Sequence, residues 1–265
     1  MAKSKIIKDL VTDSITLSQA LERVLIIAME IEDEALKKWV HQEKNGYETE
    51  ENVPDYRIVK LNPIGTFQLV GMGTIMTCKN KILPTMGCTD NMKETMNNYQ
   101  VKDGVTAILD SLKSIENGGQ AGIPVPPELF YMFEENTNMH LLNASLTINK
   151  TDFVRILNAT RTRLIEILTM LEKNFGLLDE IDIDVRNYDA IEIEKLRTEM
   201  MNIVNGKPSG TTYIISKSKI KGSNIGENNS IEKDSNLEIS PSLSITQGEK
   251  KSILQKIANW FKNKP

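Results

Sequence analysis

Residues 151–176 read TDFVRILNATRTRLIEILTMLEKNFG. Within them Phe153, Leu157, Thr160, Leu164, Ile167, Leu171 and Phe175 follow at steps of three and four. That spacing places side chains on one face of an α-helix. The stretch therefore predicts a long helix from Thr151 with one buried seam. Gly176 closes it, because glycine accepts the left-handed conformation that commonly ends helices. Such a helix needs neighbours to cover its seam, and the flanking segments offer them.

Upstream, Lys5 to Val11 predicts a short first helix. Thr16-Leu17-Ser18-Gln19 has the form of a capping box, with Ile15 placed to staple onto Ala20. Leu17, Leu21, Val24, Leu25, Ala28 and Ile31 continue at helical spacing. Asp33 is placed to cap a third helix that carries Leu36, Trp39 and Val40 on one face and ends near Asn45-Gly46. A β-prone region follows. Val53-Pro54-Asp55 reads as a turn, Tyr56 to Leu61 as extended, and Thr66–Val70 and Thr74–Cys78 as short strands. Lys79-Asn80 reads as a turn into Ile82-Leu83. Val105, Ile108, Leu109, Leu112 and Ile115 then form a helical stripe that stops at Asn117-Gly118-Gly119, and Pro126-Pro127 opens a short helix through Phe133. Ala190 to Val204 makes a last core helix, closed by Gly206.

The expected fold class is mainly α (α+β): a helical bundle with a small β insert near residues 56–83, followed by a polar β-prone tail and a terminal amphipathic helix. The composition shifts at Lys207-Pro208-Ser209-Gly210. The predicted organisation is a helical domain over 1–206, a Ser/Asn-rich segment over 207–248 and a basic amphipathic helix over 249–265. With 265 residues, 40% of them hydrophobic, the chain can bury one good core and carry appendages.

Net charge is −4, unevenly spread: Glu249 to Pro265 holds five lysines and one glutamate, so the rest carries −8. An acidic body argues against a general nucleic-acid binder, which needs a basic footprint. Two cysteines, Cys78 and Cys88, give no disulfide framework and fit a reducing compartment. The first thirteen residues hold charges but no apolar run, and no stretch is long and apolar enough to span a bilayer. The sequence thus predicts a cytoplasmic protein, peripheral to the inner membrane face if its basic end docks there.

Several constellations have residue types that could carry chemistry. Cys78, Cys88, His41 and His140 lack the short paired spacing of a zinc site. Asp182 and Asp184 alternate with Ile181, Ile183 and Val185, as the solvent face of an extended segment does. Gly71-x-Gly73 and Gly118-Gly119 lack the strand–loop–helix context of a phosphate cradle. No serine or cysteine has a base assigned to it, and nothing calls for a metal or other cofactor. The best ligand-binding candidates are Arg155 and Arg163, two turns apart on one face of the long helix, with Arg161 beside them and Tyr56 and Arg57 as contributors. Guanidiniums on a rigid helix can take a phosphate or carboxylate, or pair with acids of neighbouring helices.

Three runs carry a family resemblance: Leu17-Ser18-Gln19-Ala20-Leu21-Glu22-Arg23-Val24-Leu25 leading to Trp39 and Asn45-Gly46-Tyr47; Pro54-Asp55-Tyr56-Arg57; and Ile156-Leu157-Asn158-Ala159-Thr160-Arg161-Thr162-Arg163-Leu164 followed by Leu168 and Leu171. In order and spacing the first ~205 residues resemble the AbiTii domain family of prokaryotic conflict systems. The resemblance implies a component of antiviral, abortive-infection defence and brings no catalytic residues with it.

The tail adds two patterns. Ile220, Ile225, Ile231, Leu237 and Leu243 recur at one step of five and then steps of six, mostly behind Ser or Asn. Hexads of this kind build stacked β rungs, within one chain or between copies, and otherwise the composition is that of a disordered linker. Ile253, Leu254, Ile257, Trp260 and Phe261 form one apolar helical face, with Lys256 among the lysines that charge the remainder. Such a helix docks on a protein or lies on an anionic membrane. The leading expectation is a homo-oligomeric defence effector or adaptor that works by assembly and docking, with nucleic acid not among its partners. Two rivals remain: an enzyme acting on nucleotides or nucleic acid through the Arg155/Arg163 face, and a membrane-perturbing effector.

Overall fold

A computed structural model describes residues 3–71, 73–135, 137–179 and 188–206. The tail patterns and the Asp182/Asp184 segment lie outside the described residues.

Helices α1 (Lys5–Val11), α2 (Leu17–Glu30) and α3 (Glu34–Asn45) form where the apolar spacing predicts. The capping box of α2 is complete: Thr16 Oγ1 accepts from the Gln19 amide, and Gln19 Oε1 accepts from the Thr16 amide. Asp33 caps α3 by accepting from the amides of Ala35 and Leu36. The long helix α7 (Lys150–Phe175) ends at Gly176, φ 85°, as read from the sequence. With α5 (Val105–Glu116) and α8 (Ala190–Val204) these helices bury a core that includes Leu10, Leu21, Val24, Leu36, Leu164, Ile167, Leu171 and Met200.

The seam of α7 serves more than one core. Its C-terminal half packs into the bundle, while Phe153 and Ile156 join Tyr56, Val59, Val101 and Ile108 in a second cluster. A third cluster lies under the sheet around Leu61, Leu83, Phe133, Met139 and Leu141.

The β region is larger than an insert near 56–83. Strands β2 (Asn62–Gly71) and β3 (Thr74–Ile82) form a hairpin, and β6 (Met139–Thr147) and β5 (Gly122–Pro124) complete an antiparallel sheet in the order β3-β2-β6-β5. The strand order recruits a segment far along the chain, which local reading did not show. Two local readings need correction. Asp55–Arg57 is a 3₁₀ turn, leaving only β1 (Ile58–Val59) extended against β4 (Tyr99–Gln100). Lys79-Asn80 is not a turn but an irregularity inside β3, where the register shifts between Gly65 and Phe67 and Asn80 takes φ 51°. Asparagine tolerates that conformation, so the strand continues past it to Ile82. Helix α4 (Asp90–Asn97) was not anticipated. Pro127–Leu129 followed by α6 (Tyr131–Glu134) realises the predicted short helix.

Candidate functional site

Leu36, Trp39 and Val40 share one face of α3, and Glu43 falls on the same face at the next turn. A carboxylate is thereby carried into the interior, where Glu43 is fully buried. Burying a lone charge is very costly, so the surrounding sequence must supply a cation and donors. It does so from three directions.

The first is the end of α3 itself. Gly46 turns the chain with φ 103°, and a Cβ there would stand 2.8 Å from the Lys102 carbonyl oxygen. This turn returns Tyr47 over the last turn of α3, where its hydroxyl donates to Glu43 Oε1 at 2.6 Å. The second is the 3₁₀ turn at Asp55–Arg57. It brings two consecutive side chains to one point: the Tyr56 hydroxyl donates to Glu43 Oε1 at 2.7 Å, and Arg57 donates to both carboxylate oxygens from Nε at 2.9 Å and Nη2 at 2.8 Å. The third is α7, where Thr160 Oγ1 donates to Glu43 Oε2 at 2.7 Å. Arg57 Nη1 donates to the carbonyls of Val101 and Asp103, and Trp39 Nε1 donates to the Tyr56 hydroxyl oxygen.

The electrostatics follow from this geometry. Burial by itself would raise the Glu43 carboxyl, but the hydrogen bonds and charge of Arg57, with the Tyr47 and Tyr56 hydroxyls, outweigh it and hold the group below its ordinary value. Burial and the Glu43 charge push the Tyr47 and Tyr56 phenols far up, so both remain neutral donors. The result is a bidentate ion pair with its lone pairs occupied, the arrangement that makes a buried pair tolerable.

Two of the three arginines of α7 converge on the same turn. Arg155 donates to the carbonyls of Tyr56 at 3.2 Å and Ile58 at 3.0 Å. The Arg163 guanidinium sits 4.0 Å from the centre of the Tyr56 ring, a cation–π contact, and donates to the carbonyls of Val204 and Ala159. Arg155 and Arg163 therefore do share a face, and Tyr56 lies between them. Arg161 points elsewhere and pairs with Asp13, whose carboxyl that hydrogen bond and charge lower. Glu43 escaped the sequence reading, although a carboxylate in register with Leu36, Trp39 and Val40 was the available signal. Thr160 was legible only as a polar member of an apolar seam.

Arg163 also borders an open groove of ≈ 930 Å³ between α7 and α8. Lys173 and Lys195 line it together with Glu166, Glu192 and Glu199, over an apolar floor that includes Ile165, Leu196 and Ile203. The mixed charges suit an amphipathic polypeptide or a small zwitterion better than a polyanion. Among the described residues no group of three or more His, Cys, Asp or Glu side chains is placed to hold a metal ion.

The geometry defines a class: a mainly helical α+β domain whose helical hairpin, 3₁₀ turn and long helix are joined through one closed ionic hub. The chain belongs to the AbiTii family, whose model matches residues 4–194 and so spans the elements that build the hub. That membership suggests a component of abortive-infection defence. No curated protein and no solved structure matches the chain.

Proposed function

We propose that this AbiTii protein acts in abortive-infection defence by docking and self-assembly, with the helical domain as a rigid platform. One observation supports this reading above others. Among the described residues, the polar cluster richest in potential chemistry is closed on itself, since Arg57 and Glu43 are both fully buried and spend their donors and acceptors on each other, on Tyr47, Tyr56 and Thr160, and on backbone carbonyls. Tyr56 and Arg57 thereby serve as fasteners of the platform. The hexad positions Ile220, Ile225, Ile231, Leu237 and Leu243, and the terminal face of Ile253, Leu254, Ile257, Trp260 and Phe261, are the sequence features suited to joining copies or partners.

Light scattering coupled to size-exclusion chromatography tests this on the full chain and on residues 1–206. The expected result is an oligomer that truncation reduces to a folded monomer without defence activity. A truncated protein that assembles and protects normally refutes the reading.

The enzyme reading keeps one specific support, the position of Arg163 on the wall of the α7–α8 groove. It requires that Arg163→Ala abolish activity in a protein that still folds, beyond the modest loosening expected because Arg163 also fastens α8 through Val204. The membrane-effector reading rests on the basic terminal helix. It requires that a peptide of residues 249–265 bind anionic vesicles and that Trp260→Ala weaken the binding.

A further inference from the structure

The β2–β3 hairpin carries a cluster of exposed apolar side chains at its tip. β3 is an edge strand, and every residue in it but Cys78 is exposed. At the distal end apolar side chains are left in solvent on both faces of the ribbon. Val70 and Ile75 are cross-strand partners, 56% and 63% exposed; Met76, paired with Leu69, is 58% exposed on the opposite face. Side chains on successive strand residues alternate faces, so no single helix or sheet docking on one side would cover them all. A medium that surrounds the tip would.

The charges agree. From Asn62 to Thr89 there is no acidic residue and there are two lysines, Lys79 and Lys81, in a chain of net −4. Both are exposed, and neither side chain pairs with an acid among the described residues. They lie three to six positions behind the apolar tip residues Ile75 and Met76. At about 3.3 Å per residue that sets the first lysine roughly 10–13 Å back. This is close to the ~5–10 Å by which interfacial segments bury their apolar face beneath the headgroups. Lysines on an edge strand, and an irregularity like that at Asn80, also discourage pairing with another strand. A partner protein's strand is therefore a poorer occupant than a lipid surface.

We infer that the β2–β3 hairpin is a membrane-contacting element that enters the interface of an anionic bilayer tip first, with Lys79 and Lys81 on the phosphates. This goes beyond the docking surfaces proposed for the tail, and it concerns a different part of the sequence. Co-sedimentation of the full chain with vesicles of phosphatidylcholine containing 30% phosphatidylserine, set against phosphatidylcholine alone, provides the test. Each lysine near such a surface is worth about fivefold in partitioning. K79Q/K81Q should therefore weaken binding to the anionic vesicles roughly 25-fold. Ile75→Asn with Met76→Ser should weaken it at least tenfold while the circular dichroism melt stays that of the wild type. Because these variants leave the tail intact, and Trp260→Ala leaves the hairpin intact, the two elements are scored separately. Hairpin variants that bind as tightly as wild type overturn the inference whatever Trp260→Ala does. So does equal binding to the neutral vesicles, or a change of oligomeric state in the hairpin variants without any change in lipid binding.

Discussion

Thr160, midway along α7, donates its hydroxyl to Glu43 Oε2 at 2.7 Å across a separation of 117 residues. The bond ties the long helix to the carboxylate at the end of α3, and the same carboxylate holds Arg57 from the 3₁₀ turn. Three segments distant in sequence thus meet at one buried charge, and the stability of the domain should depend on each of them.

Removing Glu43 should damage the hub more than removing any one of the hydroxyls that donate to it. Glu43→Ala leaves the Arg57 guanidinium buried without a counter-charge, a situation that costs about 3–5 kcal/mol. Thr160→Val keeps the shape and loses one hydrogen bond to a charged group, so about 1.5–3 kcal/mol is expected. Urea unfolding of the three proteins checks the order. A Glu43→Ala midpoint within error of the wild type would show that the hub does not hold the fold.

Arg163→Ala should loosen α8 before it loosens the rest. It removes the guanidinium from the Tyr56 ring and frees the Val204 carbonyl, together about 1–3 kcal/mol. Amide hydrogen exchange should rise first in residues 196–204. Uniform protection with lost defence activity would instead favour a ligand in the α7–α8 groove.

Acid should release the N-terminus. Burial opposes the charge on Glu172, but Lys3 and both the hydroxyl and the amide of Ser4 outweigh it and bring the carboxyl down to about 2 from an ordinary 4.5. A carboxyl lowered by folding stabilises above its unfolded value, and that contribution fades as pH falls from about 4.5 towards 2. Glu172→Gln should therefore be less stable than wild type at pH 7, and the gap should narrow below pH 4. Urea midpoints measured across that range provide the check, and a gap that widens on acidification would contradict the assignment.

The capping box of α2 makes a smaller, local prediction. Thr16→Ala removes the oxygen that accepts from the Gln19 amide, and loss of such a cap costs about 1 kcal/mol. The thermal midpoint should fall by a few degrees with no change in oligomeric state.

Local signals marked every long helix and its ends, while the short α4 went unread. Thr16-x-x-Gln19, Asp33, Gly46 and Gly176 act on backbone groups within a turn of themselves, so their effect is readable without the rest of the chain. Most of the α7 seam was readable for the same reason, since helical spacing needs only neighbours at three and four positions, although Ile156 and Leu168 are buried more deeply than the expected Leu157 and Phe175. Tertiary structure alone decided the sheet order and the hub. Nothing near β2 marks β6 as its partner, because strand pairing joins residues such as Leu69 and Met139 that local patterns do not connect. Arg57 and Tyr56 read as ligand candidates because a sequence shows a charge but not what faces it. Glu43 became their partner only when α3 buried one face. A buried charge is settled by what surrounds it in space, and chain order does not specify those neighbours.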